Sequence, residues 1–415
     1  MNKAINRNHL VLYIYFFSFI TPLNLFKSQL FITTTLLLIG WLLTLRENDY
    51  ITKIKEIFNF KPFLLLFIFF IYTYISLFWS SDLKEGWKMQ HYFKYYFIII
   101  PVLASTLTAQ EAKNTFKFFI ISLGSYAVSS ILAFLKIITI SKTPENPIGN
   151  LAYSVATPFL VVGFFSSILL AMNETNNRLK YLFYFIALVC FIGVFIHNGR
   201  AGQVAFFGTT FVFIIIYIKK LLIPKNFIIA LSLGVLSITS IFILEKNERF
   251  SKGIEEINLY LTKGNFEGSW GARAYLWNGA VEGIRNNPFF GVGSGGNTDE
   301  MLKFQKKNHS KFSGILTATH NLHLDLLLKY GFFGYLLFIS SIMSLIFLFL
   351  KSNQKLYALI GIVFFSVMFF TGLGDDILTI KPFNNVFIII FILLSVIYIE
   401  NQKIIQKQLY KNTIA

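Results

Sequence analysis

Residues 320–350 read HNLHLDLLLKYGFFGYLLFISSIMSLIFLFL. From Gly331 to Leu350 the run has no charged side chain, and its length matches the roughly 20 apolar residues that an α-helix needs to cross about 30 Å of hydrocarbon. Comparable runs recur along the whole chain, near 9–26, 29–45, 62–79, 92–108, 115–138, 152–171, 180–197, 203–218, 226–244, 356–373 and 383–399. They do not alternate apolar and polar positions as barrel strands do, so helices are the reading that pairs every backbone group inside lipid. The sequence therefore predicts an all-α polytopic membrane protein of about twelve transmembrane helices. A basic start, Met1 to Arg7, precedes the first run with no small-residue cleavage site, which reads as a retained first span.

Composition agrees, with 55% hydrophobic and 14% charged residues. The formal net charge of +17 is accounted for by Lys and Arg anchors at anionic headgroups, and is no argument for nucleic acid. Lysine and arginine are about twice as frequent in the segments that share a side with both termini, which predicts cytoplasmic termini and an external loop over 245–330. Three parts follow: residues 1–244 with nine spans, a periplasmic loop at 245–330, and residues 331–415 with three spans and a cytoplasmic tail. The single cysteine, Cys190, lies within a span and excludes both an intramolecular disulfide and a thiolate metal site.

The loop has its own order. Ile254, Ile257 and Leu261 fall at helical spacing, and a second helical stretch runs from about Trp270 to Arg285, so short amphipathic helices on the membrane surface are expected. Arg273 and Trp277 share a face of the second stretch. Pro288 stops it, and Gly291–Gly296 (GVGSGG) reads as a flexible turn; no Lys-Ser/Thr follows and no strand precedes, so it is a poor phosphate loop.

At the end of the loop His320 is the candidate general base, since imidazole takes up a proton near neutral pH. Thr319 is the expected N-cap of a helix starting at His320, which sets His320, Leu324, Leu327 and Gly331 on one stripe. His323, one turn on, is the competing base or a second polar contact. Arg200, in Gly199-Arg200-Ala201-Gly202, sits at a span edge, where a cation is expensive and marks function by default; its glycine neighbours leave room for something large to approach. Asp375 and Asp376 are too few for a convincing metal site and suit the orienting of an arginine or histidine instead.

These motifs together resemble the O-antigen ligase and polymerase superfamily of bacterial inner-membrane glycosyltransferases. His320-Asn321, nine residues, Gly331, two residues and Gly334 match the ligase pattern; Gly271-Ala272-Arg273 with Trp277, Pro288, Gly291 and Gly293 resembles the loop segment, and Gly199-Arg200-Ala201 the arginine between spans. The resemblance implies transfer of a glycan from undecaprenyl pyrophosphate to a sugar hydroxyl of lipid A–core on the periplasmic face, with no cofactor and no metal. Within it His320 is expected to be catalytic and Arg200 and Arg273 to bind the pyrophosphate, with Asn321, His323, Trp277 and Asp375 in support. A polymerase of the same superfamily, acting on a second lipid-linked glycan, and a lipid-linked glycan flippase are the alternative readings.

Overall fold

The computed structural model describes residues 6–45, 49–138, 151–197, 199–217, 248–263, 268–308 and 318–414. Among the described residues the chain is helical, with no strand. Among the described residues seven helices are long and apolar enough to cross a membrane: Lys61–Trp79, Ala109–Phe134, Tyr153–Asn173, Asn177–Ile196, Leu322–Lys351, Lys355–Gly372 and Lys381–Tyr410. Gln29–Thr44, Tyr96–Thr106 and Arg200–Ile216 are shorter apolar helices, and Arg7–Ile20 carries the first expected span. The run expected at 226–244 lies outside the described residues. The protein is an all-α polytopic membrane protein.

Two helices form the centre of the bundle. Tyr153–Asn173 is 89% buried and Lys381–Tyr410 is 83% buried over their apolar windows, against 33% for Leu322–Lys351 and 39% for Asn177–Ile196, so the latter pair turn broad faces to lipid. The Tyr153–Asn173 helix packs on Asn177–Ile196, Arg200–Tyr217 and Lys355–Gly372, while Lys381–Ile414 packs on Ala109–Phe134 and Tyr96–Thr106. At the end away from the His320 cluster, Lys117 pairs with Glu174 at 2.6 Å, and Arg7 with Glu111.

The Leu322–Lys351 helix is interrupted at Gly331, where φ is 64° and ψ is −172°, a conformation open in practice only to glycine. An interruption frees carbonyls before it and amides after it, and inside a membrane each group left unpaired costs several kcal/mol. Here all four key groups are taken by the segment after the Gly268–Asn286 helix. Phe332 N donates to Pro288 O at 2.8 Å and Phe333 N to Phe289 O at 3.1 Å; Leu328 O accepts from Val292 N and Lys329 O from Gly293 N, both at 2.9 Å. The Tyr72 hydroxyl adds donation to Phe290 O at 3.0 Å.

The Gly291–Gly296 stretch therefore is not the flexible turn that its composition suggests. Ser294 is fully buried, and its hydroxyl donates to Thr73 O and receives a bond from Gln90 Nε2, each at 2.9 Å. Glycines are required because the turn lies directly on backbone: a Cβ on Gly295 would stand 1.9 Å from Asp82 O. With the amides of Val292 and Gly293 already committed, the turn has no cradle left for phosphate.

In the loop region the Glu248–Lys263 helix exposes Ile254, Ile257 and Leu261, as an amphipathic surface helix would. Gly268–Asn286 and Asn297–Lys307 follow it.

The break yields a direct test. Gly331→Ala places a side chain at positive φ with its Cβ 2.2 Å from Phe289 O, whereas Gly361→Ala meets only Leu394 at an ordinary 3.4 Å. Thermal unfolding of the purified protein should show a clear loss for Gly331→Ala, from backbone strain of about 1–3 kcal/mol plus the clash, and little change for Gly361→Ala. Equal unfolding temperatures would mean that the break does not need glycine.

Candidate functional site

The Leu322–Lys351 helix does not start where sequence places it. Asn321 is the N-cap, its Oδ1 accepting from His323 N at 3.0 Å and Leu324 N at 3.1 Å, while its Nδ2 donates to Leu373 O at 3.2 Å. Thr319, expected to cap, is one step further out: its hydroxyl donates to Asn321 O at 3.1 Å and steadies the turn. Asparagine wins because its side-chain carbonyl reaches the second and third amides of the helix while the amide end ties down the neighbouring loop.

His320 consequently lies outside the helix, with φ at 49°, and the stripe expected through Leu324, Leu327 and Gly331 does not exist. Positive φ is uncommon for a side-chain-bearing residue, though histidine is among those that adopt it. It turns the imidazole away from the helix face and toward the 373–376 loop. Nδ1 lies 3.3 Å from Asp375 Oδ1, with the imidazole 46% and the carboxylate 18% exposed. Asp375 Oδ1 also accepts from Asp376 N at 3.1 Å. A carboxylate on Nδ1 fixes that nitrogen as the proton-bearing one and leaves Nε2 with its lone pair outward.

His323 is in a different situation, with both nitrogens engaged. Nδ1 is 3.1 Å from the Tyr335 hydroxyl and Nε2 is 3.1 Å from Phe369 O. A neutral ring that donates Nε2–H to the carbonyl and accepts from the tyrosine satisfies both. Tyr335 lies beyond the Gly331 interruption, so the contact spans the break.

Behind the His320–Asp375 pair is a buried ionic group that sequence reading missed. Lys329 Nζ is 2.6 Å from Asp325 Oδ2, with the side chains 3% and 6% exposed, and Asp376 is packed against the same carboxylate. Burial, with the negative Asp325 beside it, pushes the Asp376 carboxyl well above the usual carboxylate range despite the nearby Lys329 ammonium. That shift favours the protonated carboxyl, which can hydrogen-bond to Asp325. The two consecutive aspartates thus face opposite ways, Asp375 to the histidine and Asp376 inward. The i, i+4 spacing of Asp325 and Lys329 was the available signal.

The two arginines stand together around Trp270. Arg200 Nη1 is 3.5 Å from Ser269 Oγ, and a Cβ on Gly253 would lie 2.9 Å from Arg200 Nη1 and 3.2 Å from Trp270 Nε1. The Arg273 guanidinium lies 5.5 Å from the Trp270 ring centroid. Glu256, buried, accepts from Trp270 N at 2.9 Å and so anchors the start of the Gly268–Asn286 helix. Trp270 and Trp277 meet edge to face at 6.3 Å, and Trp277 Nε1 donates to Thr319 O at 3.0 Å, one residue before His320.

The cluster closes on itself, since Gly374 comes within 3.6 Å of the Ala201 Cβ for a side chain built on the glycine. Arg200, Arg273, Trp277, His320, Asn321 and Asp375 are thus linked into one group through Ser269, Trp270, Thr319 and Leu373. The glycines beside Arg200 serve packing: Cβ atoms on Gly199 and Gly202 would stand 2.2 and 2.5 Å from Thr157 side-chain atoms. What approaches there is the central Tyr153–Asn173 helix. Among the described residues no group of three His, Cys, Asp or Glu side chains gathers as a metal site would need.

Adjoining the cluster is an apolar cavity of about 500 Å³ between the Arg200–Tyr217, Leu322–Lys351 and Lys355–Gly372 helices. Leu322, Phe338, Ile342, Met343, Phe365 and Phe369 line it, and His323 and Tyr335 stand in its wall.

Comparison with known proteins bears on this same stretch. Over 235 residues the chain is 29% identical to an uncharacterized protein of Haemophilus influenzae, a match covering 54% of this chain and 57% of that protein. The chain thus spans rather more than half the length of the curated relative it matches. Residues 185–339 match the family described as O-antigen ligase. That stretch contains Arg200, Arg273, His320, Gly331 and Gly334, and the match supports the O-antigen ligase and polymerase superfamily.

Proposed function

We propose that the protein is an O-antigen ligase, a membrane glycosyltransferase that moves a glycan from undecaprenyl pyrophosphate to a sugar hydroxyl of lipid A–core in lipopolysaccharide biosynthesis. The observation that carries this reading is the gathering of a carboxylate-held histidine with two arginines, close to an apolar cavity between helices. In the reaction the acceptor oxygen forms a bond to the anomeric carbon as the bond from that carbon to the phosphate oxygen breaks. Undecaprenyl pyrophosphate leaves with the electron pair. The acceptor's proton passes to Nε2 of His320, and Asp375 on Nδ1 stabilises the resulting imidazolium.

The leaving group carries at least two negative charges. Arginine suits it because its planar fork binds phosphate oxygens in pairs and stays charged, and the indole of Trp270 keeps the two guanidinium groups near one another. The apolar cavity suits the prenyl tail of the donor. In this reading the site faces the periplasm, in the inner membrane, and the chemistry uses no metal or other cofactor.

The deciding experiment is reconstitution of the purified protein in liposomes with lipid-linked glycan and a lipid A–core acceptor. A ligase makes a new covalent acceptor glycolipid; lengthened lipid-linked glycan would instead indicate a polymerase, and movement of the donor across the bilayer without new bonds a flippase.

Three further outcomes are expected. His320→Asn, chosen because asparagine tolerates positive φ, should lower the transfer rate roughly 10²–10⁴-fold at unchanged unfolding temperature, and Asp375→Asn should lower it by less. His323→Ala should instead cost stability, through Tyr335 and Phe369, while turnover persists; a greater rate loss at His323 than at His320 would assign the base to the wrong imidazole.

Arg200→Ala and Arg273→Ala should each cripple transfer, with lysine restoring only part of it, since a point charge cannot make paired contacts. Excess chelator should leave turnover intact. Chelator-sensitive activity restored by magnesium or manganese would refute the metal-free scheme.

For orientation, Lys263→Cys and Lys403→Cys in a Cys190→Ser background should differ on intact spheroplasts. An impermeant thiol reagent is expected to label position 263 and spare position 403; the reverse pattern inverts the topology.

A further inference from the structure

The Glu248–Lys263 helix meets the arginine cluster along one stripe. Gly253, Glu256 and Tyr260 are three and then four residues apart, so they lie one above the other, beside the exposed stripe of Ile254, Ile257 and Leu261. Gly253 runs so close to Arg200 and Trp270 that a Cβ there would crowd both. At the other end of the stripe the Tyr260 hydroxyl accepts from Asn278 Nδ2 at 2.6 Å. The stripe is thereby clasped to the Gly268–Asn286 helix at two levels, with Glu256 between them.

Glu256 is only 8% exposed. The first amides of a helix have no partner within it, and an acceptor side chain placed there satisfies them. Glu256 does this for the Gly268–Asn286 helix, Oε2 accepting from Trp270 N at 2.9 Å. The same oxygen is 3.4 Å from Ser269 Oγ, which lies 3.5 Å from Arg200 Nη1 on its other side. Trp270 in turn holds the Arg273 guanidinium 5.5 Å from its ring centroid, within the range of a cation–π contact. One side chain thus stands behind both guanidinium groups, through Ser269 to Arg200 and through Trp270 to Arg273. The fit is close, because a Cβ on Gly268, where φ is 87°, would stand 2.4 Å from Glu256 Cδ.

Paired contacts from a planar guanidinium demand that its position be fixed as well as its charge supplied. We propose that Glu256 is the positioning residue for both arginines, holding the start of the Gly268–Asn286 helix where Arg200 and Arg273 can meet one pyrophosphate together. It acts by its reach as a hydrogen-bond acceptor and not by its charge, since its shortest contact is to a neutral amide. The proposal rests on the pyrophosphate role given above to the two arginines.

The test titrates undecaprenyl pyrophosphate, and undecaprenol as the same tail without phosphate, into the full chain in detergent micelles, with binding read by native mass spectrometry. Glu256→Asp keeps the charge but loses the reach, and should raise the Kd for the pyrophosphate about tenfold. Glu256→Gln keeps the reach without the charge and should stay within about twofold of the parent protein. Gly268→Ala, which displaces the carboxylate from the other side, should match Glu256→Asp and serves where that variant does not fold. Undecaprenol should bind all of them alike. An unchanged Kd in Glu256→Asp and Gly268→Ala, a loss in Glu256→Gln as large as in Glu256→Asp, or an equal loss of undecaprenol binding would overturn the role of Glu256 while leaving that of the arginines standing. Arg200→Ala and Arg273→Ala separate the two ideas: if neither alters the Kd for the pyrophosphate, the arginine reading itself fails and this inference with it.

Discussion

Pairing of backbone groups where water is absent is the constraint on which the rest of this molecule depends. A glycine at position 331 lets the chain break its helix, but glycine alone would leave carbonyls and amides stranded in hydrocarbon. The 288–293 segment takes up those groups from both sides of the break. In doing so it becomes part of the transmembrane structure, and it fixes the Gly268–Asn286 helix, whose first half carries Trp270, Arg273 and Trp277, beside His320. The loop that carries Arg273 is thus docked by main-chain hydrogen bonds as well as by side-chain contacts such as those of Ser294 with Thr73 and Gln90.

Electrostatics follow from the same arrangement. The stub of helix before Gly331 is short enough to sit inside the bundle and carry Asp325 and Lys329 into a dry region, where a lone charge would be prohibitive. Together with Asp376 they form a group in which one positive charge faces two carboxyls. Burial beside Asp325 raises the pKa of the Asp376 carboxyl, and its contact with Asp325 helps hold the 373–376 loop in position. Asp375 then faces the other side of the same loop, against the imidazole.

Much of this was legible in the sequence, and the reasons differ by feature. Spans were readable because lipid imposes a length and an apolar composition on any helix that crosses it. His320, Arg200 and Arg273 stood out as polar groups at span edges or in a loop-borne motif. What could not be read depends on partners distant in the chain. The GVGSGG turn has the composition of a mobile connection, yet it is rigid because Ser76, Thr73 and Gln90 meet Ser294 from more than 200 residues away. Thr319 and Asn321 both make good caps, and the choice turns on Leu373 O, which only the longer amide reaches. The glycines around Arg200 read as an opening for a ligand, but they accommodate the Tyr153–Asn173 helix.

The opposed aspartates have a consequence for how such a loop tolerates change over evolutionary time. Neighbouring side chains of a tight turn point in different directions, so the assignment of one acid to the solvent side and one to the interior is a matter of phase. Removing or adding a single residue between Gly372 and Asp375 would shift that phase and offer the histidine the wrong carboxyl, although the composition would be unaltered. Substitutions that keep an acid there preserve less than the spacing does. Related chains are therefore better recognised at this loop by its length than by its letters.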